Sequence, residues 1–143
     1  SRRVDKLREK IALAERLDRG GMRGVNHLLP RFLRAPDTVS REDFLDYWHH
    51  THGPLIRDTP DLADRTRSYV QYPAAPQDGS GWDGVAVQDF ASWDDFLAML
   101  SGPAGDAMRA DEANFLDPSS IKVVFTEGQV VMIDPDDPAG SRP

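Results

Sequence analysis

Apolar residues in this chain recur with two different periods. The order in which those periods follow one another constrains the fold more than any other feature. Gly24 to Leu33 (GVNHLLPRFL) reads as a first strand, Thr66 to Pro73 (TRSYVQYP) as a second and Gly84 to Phe90 (GVAVQDF) as a third. Ile121 to Thr126 reads as a fourth, and Gln129 to Ile133 as a fifth short strand or an extension of it. Helical segments lie between them. Ser40 caps a helix with Glu42 and Asp43 in its first turn. That helix carries Phe44, Leu45, Tyr47 and Trp48, and Gly53-Pro54 is expected to stop it. Ser92 caps a second helix, Trp93 to Leu100, and Pro103 to Phe115 forms a third. Pro30 has no N–H for a ladder, so it predicts an edge position or a bulge in the first strand.

The order β-α-β, then β-α-α-β, predicts the α+β class: a ferredoxin-like antiparallel sheet with helices on one face. Such a sheet leaves its second face bare. Tyr69 alternates with Val70, Val85 with Ala86 and Val87, and Ile121, Val123 and Val124 continue the pattern, so neither face is wholly polar. A second copy laid sheet against sheet is the simplest cover, which predicts a homodimer. Before this domain, Val4, Leu7, Ile11 and Ala14 form an apolar stripe on an extra N-terminal helix that should end near Gly20-Gly21. That helix either packs on its own domain or reaches the partner subunit. The expected organisation is an N-terminal helical extension over 1–21, the main domain over 22–133 and a flexible acidic tail over 134–143.

Composition narrows the function. The chain has no cysteine, which excludes disulfides and thiolate chemistry. Its net charge is −7 and its cations are scattered outside the first ten residues, so nucleic acid is not an expected partner. No apolar run approaches the roughly 20 residues that span a bilayer, so no membrane partner is expected either. The charged start lacks a leader's apolar core, and a cytoplasmic location is expected. There is no G-x-S-x-G elbow, P-loop, G-x-G-x-x-G or H-E-x-x-H.

The segment Phe44-Leu45-Asp46-Tyr47-Trp48-His49-His50-Thr51-His52-Gly53-Pro54-Leu55 closely resembles the F-x-x-Y-W-x-x-x-H-G-P-L signature of the EthD-like family, in the dimeric α+β barrel superfamily. Arg67 to Gln71 resembles that family's second strand and Trp82-Asp83-Gly84-Val85-Ala86 its third. Asp111-Glu112-Ala113-Asn114-Phe115-Leu116-Asp117 resembles its D-E-x-x-F-x-D helix end. The resemblance covers about residues 22 to 133; the N-terminal helix and acidic tail are departures. It implies a ferredoxin-like monomer paired sheet to sheet. It implies function only loosely, because similar proteins include cofactor-free decarboxylases, dehydratases and cyclases of aromatic polyketide pathways, cofactor-free monooxygenases and haem-dependent enzymes.

His52 is the leading chemical candidate. Phe44, Trp48 and His52 follow one another at four-residue steps and share one inward helix face. An imidazole there can move protons near neutrality. The alternative is a buried histidine that ties down the Gly53-Pro54 turn. His27 shares a strand face with Val25 and Leu29, and could converge with His52 on one ligand or serve as a core or interface residue. The stretch around it resembles the first strand of polyketide cyclases in the same superfamily. Tyr69 and Tyr72 point to opposite sheet faces, so at most one reaches the helix side to stabilise an oxyanion. Phe44, Trp48 and Phe90 are expected to hold an apolar ring, with Tyr72 and Asn114 as further binding candidates. His49 and His50 read as solvated residues at a helix end. No metal and no cofactor are expected. The expected function is cofactor-free cyclisation, dehydration or decarboxylation of a small hydrophobic, oxygenated substrate. A cofactor-free monooxygenase and a non-catalytic small-molecule-binding dimer are the alternatives.

Overall fold

A computed structural model describes residues 27–136, together with Asp5 and Arg8, which are helical and exposed. The apolar stripe from Val4 to Leu17, the Gly20-Gly21 stop, the start of the first strand at Gly24 to Asn26 and the end of the tail lie outside the described residues.

Four antiparallel strands form one sheet: β1 (His27–Leu33), β2 (Ser68–Pro73), β3 (Gly84–Phe90) and β4 (Lys122–Val123), in the order β2-β3-β1-β4. The helices are α1 (Arg41–Tyr47), which passes through a π-helical turn (Trp48–His52) into α2 (Gly53–Asp58), then α3 (Pro60–Ala63), α4 (Trp93–Ser101) and α5 (Pro103–Glu112). They pack on one face of the sheet, giving the α+β, ferredoxin-like architecture. Among the described residues no helix is long and apolar enough to cross a membrane.

Several local expectations are corrected. β1 is an interior strand, flanked by β3 and β4, although it holds Pro30. Pro30 O accepts from Val124 N, so residue 30 turns its backbone groups toward β4. The missing N–H therefore falls on the side of the shortest strand, where it costs least. The helix does not stop at Gly53-Pro54. In the π turn Gly53 N–H reaches Trp48 O, which already breaks the regular ladder, and Pro54 sits in the first turn of α2, where no donor is required. β4 is regular only over Lys122–Val123, and bonds from Val124 N to Pro30 O and Thr126 N to Leu28 O carry the pairing further. Residues 129–133 form no strand; Val130, Val131, Met132 and Ile133 are all exposed.

Two close approaches explain the glycines in the signature segments. A Cβ at Gly84 would lie 2.7 Å from the Trp48 ring, so β3 can take the indole directly against its backbone. A Cβ at Gly53 would lie 2.8 Å from Gln71 Nε2. The helix and β2 thus approach closely where Gly53 faces Gln71.

The core divides in two. One cluster gathers Leu29, Ile56, Leu62, Phe90, Trp93, Phe96, Met99, Leu100 and Met108. The other gathers Leu33, Phe44, Trp48, Ala86, Phe115 and Leu116. Tyr69 packs against both. On the opposite face of the sheet Val70, Tyr72 and Val124 are 41%, 54% and 49% exposed.

Candidate active site

Polar side chains are buried between the sheet and the helices. Arg31 from β1 meets Glu112 from α5 in an ion pair of 2.8 Å, with 15% and 6% of the two side chains exposed. Burial works against the Arg31 charge, but Glu112 outweighs it and holds the guanidinium firmly protonated. Gln88 is buried on β3, directly across the ladder from Tyr69.

His52 lies at the end of the π turn, 2% exposed, against the Phe115 ring at 4.8 Å. Its Nδ1 is 2.8 Å from Asp111 Oδ2. Asp111 also accepts from the Tyr47 hydroxyl at 2.6 Å and from Asn114 Nδ2 at 3.2 Å. Partial burial would raise the Asp111 carboxyl, yet the bonds from Tyr47, His52 and Asn114 together hold it below its ordinary value. It is therefore an acceptor, so Nδ1 of His52 carries the proton and Nε2 is the basic atom. Burial pushes the His52 pKa below 6.5, only partly opposed by the bond to Asp111 and the nearby Glu112 charge. The ring is thus neutral at neutral pH.

The other expected site residues are distributed as follows. Phe44 and Trp48 are fully buried in the second cluster and Phe90 in the first. Tyr69 is on the helix side, and burial raises its phenol pKa. Tyr72 is on the open face. Asn114 is exposed and braces the site by donating to Tyr47 Oη and Asp111. His27 is fully buried on the helix side, as the alternation requires, and meets Trp93 edge-on at 4.6 Å. Both its ring nitrogens lack a hydrogen-bond partner. His27 packs with Trp93 and His52 with Phe115, so the two histidines sit in different surroundings rather than on a shared wall. Among the described residues no three His, Asp or Glu side chains gather as metal ligands would.

A cleft of about 490 Å³ opens beside β2, lined by residues that include His49, Gly53, Ile56, Arg57, Tyr69 and Gln71. His49, expected to be solvated, is instead half-buried here, stacked on Trp48 at 5.3 Å and bonded to Gln71. Asp111, Arg31, Glu112 and Gln71 were not singled out as site residues in the sequence. Asp111 and Glu112 belong to the D-E-x-x-F-x-D stretch, and that was the only signal pointing to them.

This is a ferredoxin-like α+β domain with a carboxylate-held histidine between sheet and helices. Residues 36–119 match the model of the EthD domain, and the chain belongs to that family. Three solved structures are similar in fold. A dimeric protein of unknown function from Bacteroides fragilis has a TM-score of 0.57 and 19% identity, over 74% of this chain and 98% of that one. An ethyl tert-butyl ether D (EthD) family protein from Bacillus halodurans has a TM-score of 0.57 and 16% identity, over 73% and 99%. A hydroxynitrile lyase from Passiflora edulis has a TM-score of 0.57 and 16% identity, over 78% and 99%. No curated protein sequence matches the chain.

Proposed function

We propose that this chain is a cofactor-free enzyme that moves a proton at a carbon next to a carbonyl in a hydrophobic, oxygenated substrate. The substrate class is that of an aromatic polyketide precursor, and the net reaction is a cyclisation, dehydration or decarboxylation. The observation that carries this reading is the neutral imidazole of His52, held through Nδ1 by Asp111 and depressed by burial. Its Nε2 takes the proton from carbon, and the electron pair moves to the carbonyl oxygen to give an enolate. Tyr69, kept protonated by burial, donates to that oxygen, and the Arg31 charge lies near the same phenol. His52 then gives the proton to the alkoxide formed when the enolate carbon closes on a second carbonyl, or to the leaving oxygen in a dehydration. In a decarboxylation the enolate forms instead by loss of CO2, and protonated His52 delivers its proton to that carbon. Phe44, Trp48 and Phe90 keep water out. His27, packed apart among aromatic rings, is assigned no step. The hydroxynitrile lyase of similar fold supports lyase chemistry on such a scaffold.

The working unit in this reading is a homodimer joined through the open sheet face. Val70, Tyr72 and Val124 support it, as does the dimeric state of the Bacteroides fragilis protein.

The test uses benzoylacetone in D2O, with exchange of its acidic carbon-bound protons followed by NMR. The protein is expected to accelerate exchange, and His52→Ala to lower that acceleration by about 10²–10⁴-fold, the usual contribution of a positioned acid or base. Undiminished exchange by His52→Ala would sink the mechanism. The separation of His27 from His52 favours a second reading, a non-catalytic binder of small molecules. It predicts binding without accelerated exchange.

A further inference from the structure

The cleft beside β2 carries a hydrogen-bond chain whose direction can be worked out atom by atom. The carbonyl oxygen of Trp48 can only accept, so the Gln71 atom 2.9 Å from it must be the amide nitrogen, Nε2. Gln71 Oε1 then faces His49 Nδ1 at 2.5 Å and can only accept, so that ring nitrogen must carry a proton. The second Nε2 proton of Gln71 goes to Tyr69 Oη at 2.8 Å. Tyr69 is therefore an acceptor within the chain, and its own hydroxyl proton is directed elsewhere. One amide thus sets two polarities: an imidazole with its Nε2 lone pair uncommitted to Gln71, and a phenol with a proton left to donate. Stacking on Trp48 fixes the plane of the His49 ring, and His49, Gln71 and Tyr69 all line the cleft.

We infer that this cleft is a binding site for a phenolic or enolic hydroxyl. The hydroxyl would donate to His49 Nε2 while its oxygen accepts from Tyr69. Ile56 and Pro54 supply apolar wall for the attached ring. Gln71 is the positioning residue and His49 and Tyr69 are the binding residues. The inference deepens the proposed function and rests on it for the ligand class: an enol held here is the tautomer of the carbonyl compound that His52 would deprotonate.

The test is NMR on protein labelled with 15N-histidine, with 1-naphthol as the probe. Neutral His49 is expected as the Nδ1–H tautomer, with 1-naphthol shifting its Nε2 resonance. Tyr69→Phe and the near-isosteric Gln71→Glu should each weaken 1-naphthol by about tenfold, the value of one lost hydrogen bond. Gln71→Glu should nevertheless keep His49 as Nδ1–H, because the new carboxylate still accepts there while drawing the Tyr69 proton inward. His49 found as Nε2–H, or 1-naphthol binding indifferent to both variants, overturns the inference. The benzoylacetone assay keeps the two failures apart. A wrong His49 tautomer with His52-dependent exchange sinks only this site. The expected tautomer and binding, with exchange indifferent to His52, sink only the proposed mechanism.

Discussion

At the scale of single residues, the site depends on which groups keep their charge. His52 is neutral because burial outweighs the carboxylate that holds it, while Asp111 stays ionised because three donors converge on it. A rate that needs the neutral ring should rise with pH through an apparent pKa below 6.5 and then level off. The stability effect has the same sign. Between the lowered pKa of folded His52 and about 6.5, the unfolded chain binds more protons than the folded one, so stability increases with pH across that window. Asp111 adds a second loss of stability as pH falls below its ordinary 3.8 and through its depressed value. Denaturation midpoints between pH 4 and 8, compared with His52→Ala, should isolate the histidine contribution. A flat difference across that window would contradict the assignment. Arg31 and Glu112 make a different prediction. Arg31→Met alone leaves a buried carboxylate and should lower stability by about 3–5 kcal/mol in chemical denaturation, whereas Arg31→Met with Glu112→Leu should recover most of it.

At the scale of elements, the glycines in the signature segments record where helix and sheet touch. Gly84→Ala drives a methyl into the Trp48 ring and should cost about 1–3 kcal/mol by overpacking. Trp48→Phe should couple with it, so that the double variant costs less than the sum of the singles. Additive losses would mean that the indole and β3 do not constrain each other. The same elements explain what could be read from the sequence. The inward face of Phe44, Trp48 and His52 was legible because spacing within one helix is local information. The α+β class followed from the alternation of periods, without reference to any contact, but the strand order did not: Pro30 suggested an edge or a bulge, and β1 is interior. The π turn was not legible, because its backbone bond leaves no side-chain signature. Asp111 lies 59 residues beyond His52, and Arg31 pairs across a strand–helix gap, so neither partnership appears in any window of sequence. His49 departs from its expected exposure for a related reason. Its position near a helix end suggested water, but the continuation into α2 and the approach of Gln71 enclosed it.

At the scale of the whole molecule, the two faces of the sheet have unequal fates. The helices bury one face completely enough to hold an ion pair and a neutral histidine. The other leaves Val70, Tyr72 and Val124 between 41% and 54% exposed. Burying apolar area of this kind stabilises by about 25 cal/mol for each Å² removed from water, so a second sheet is a favourable cover for a face over which no helix packs among the described residues. β2 brings the two faces together: Tyr69 and Gln71 face the cleft side, while Val70 and Tyr72 alternate with them on the open face. Dimerisation would therefore steady the strand on which the His49–Gln71–Tyr69 chain depends. Val70→Asp with Tyr72→Asp should convert a dimer to a monomer in analytical ultracentrifugation. The variant should also exchange its β2 amides faster, because an edge strand without cover opens more readily. A wild-type protein that sediments as a monomer at tens of micromolar would remove the proposed dimer, and with it the support for β2 from outside its own chain.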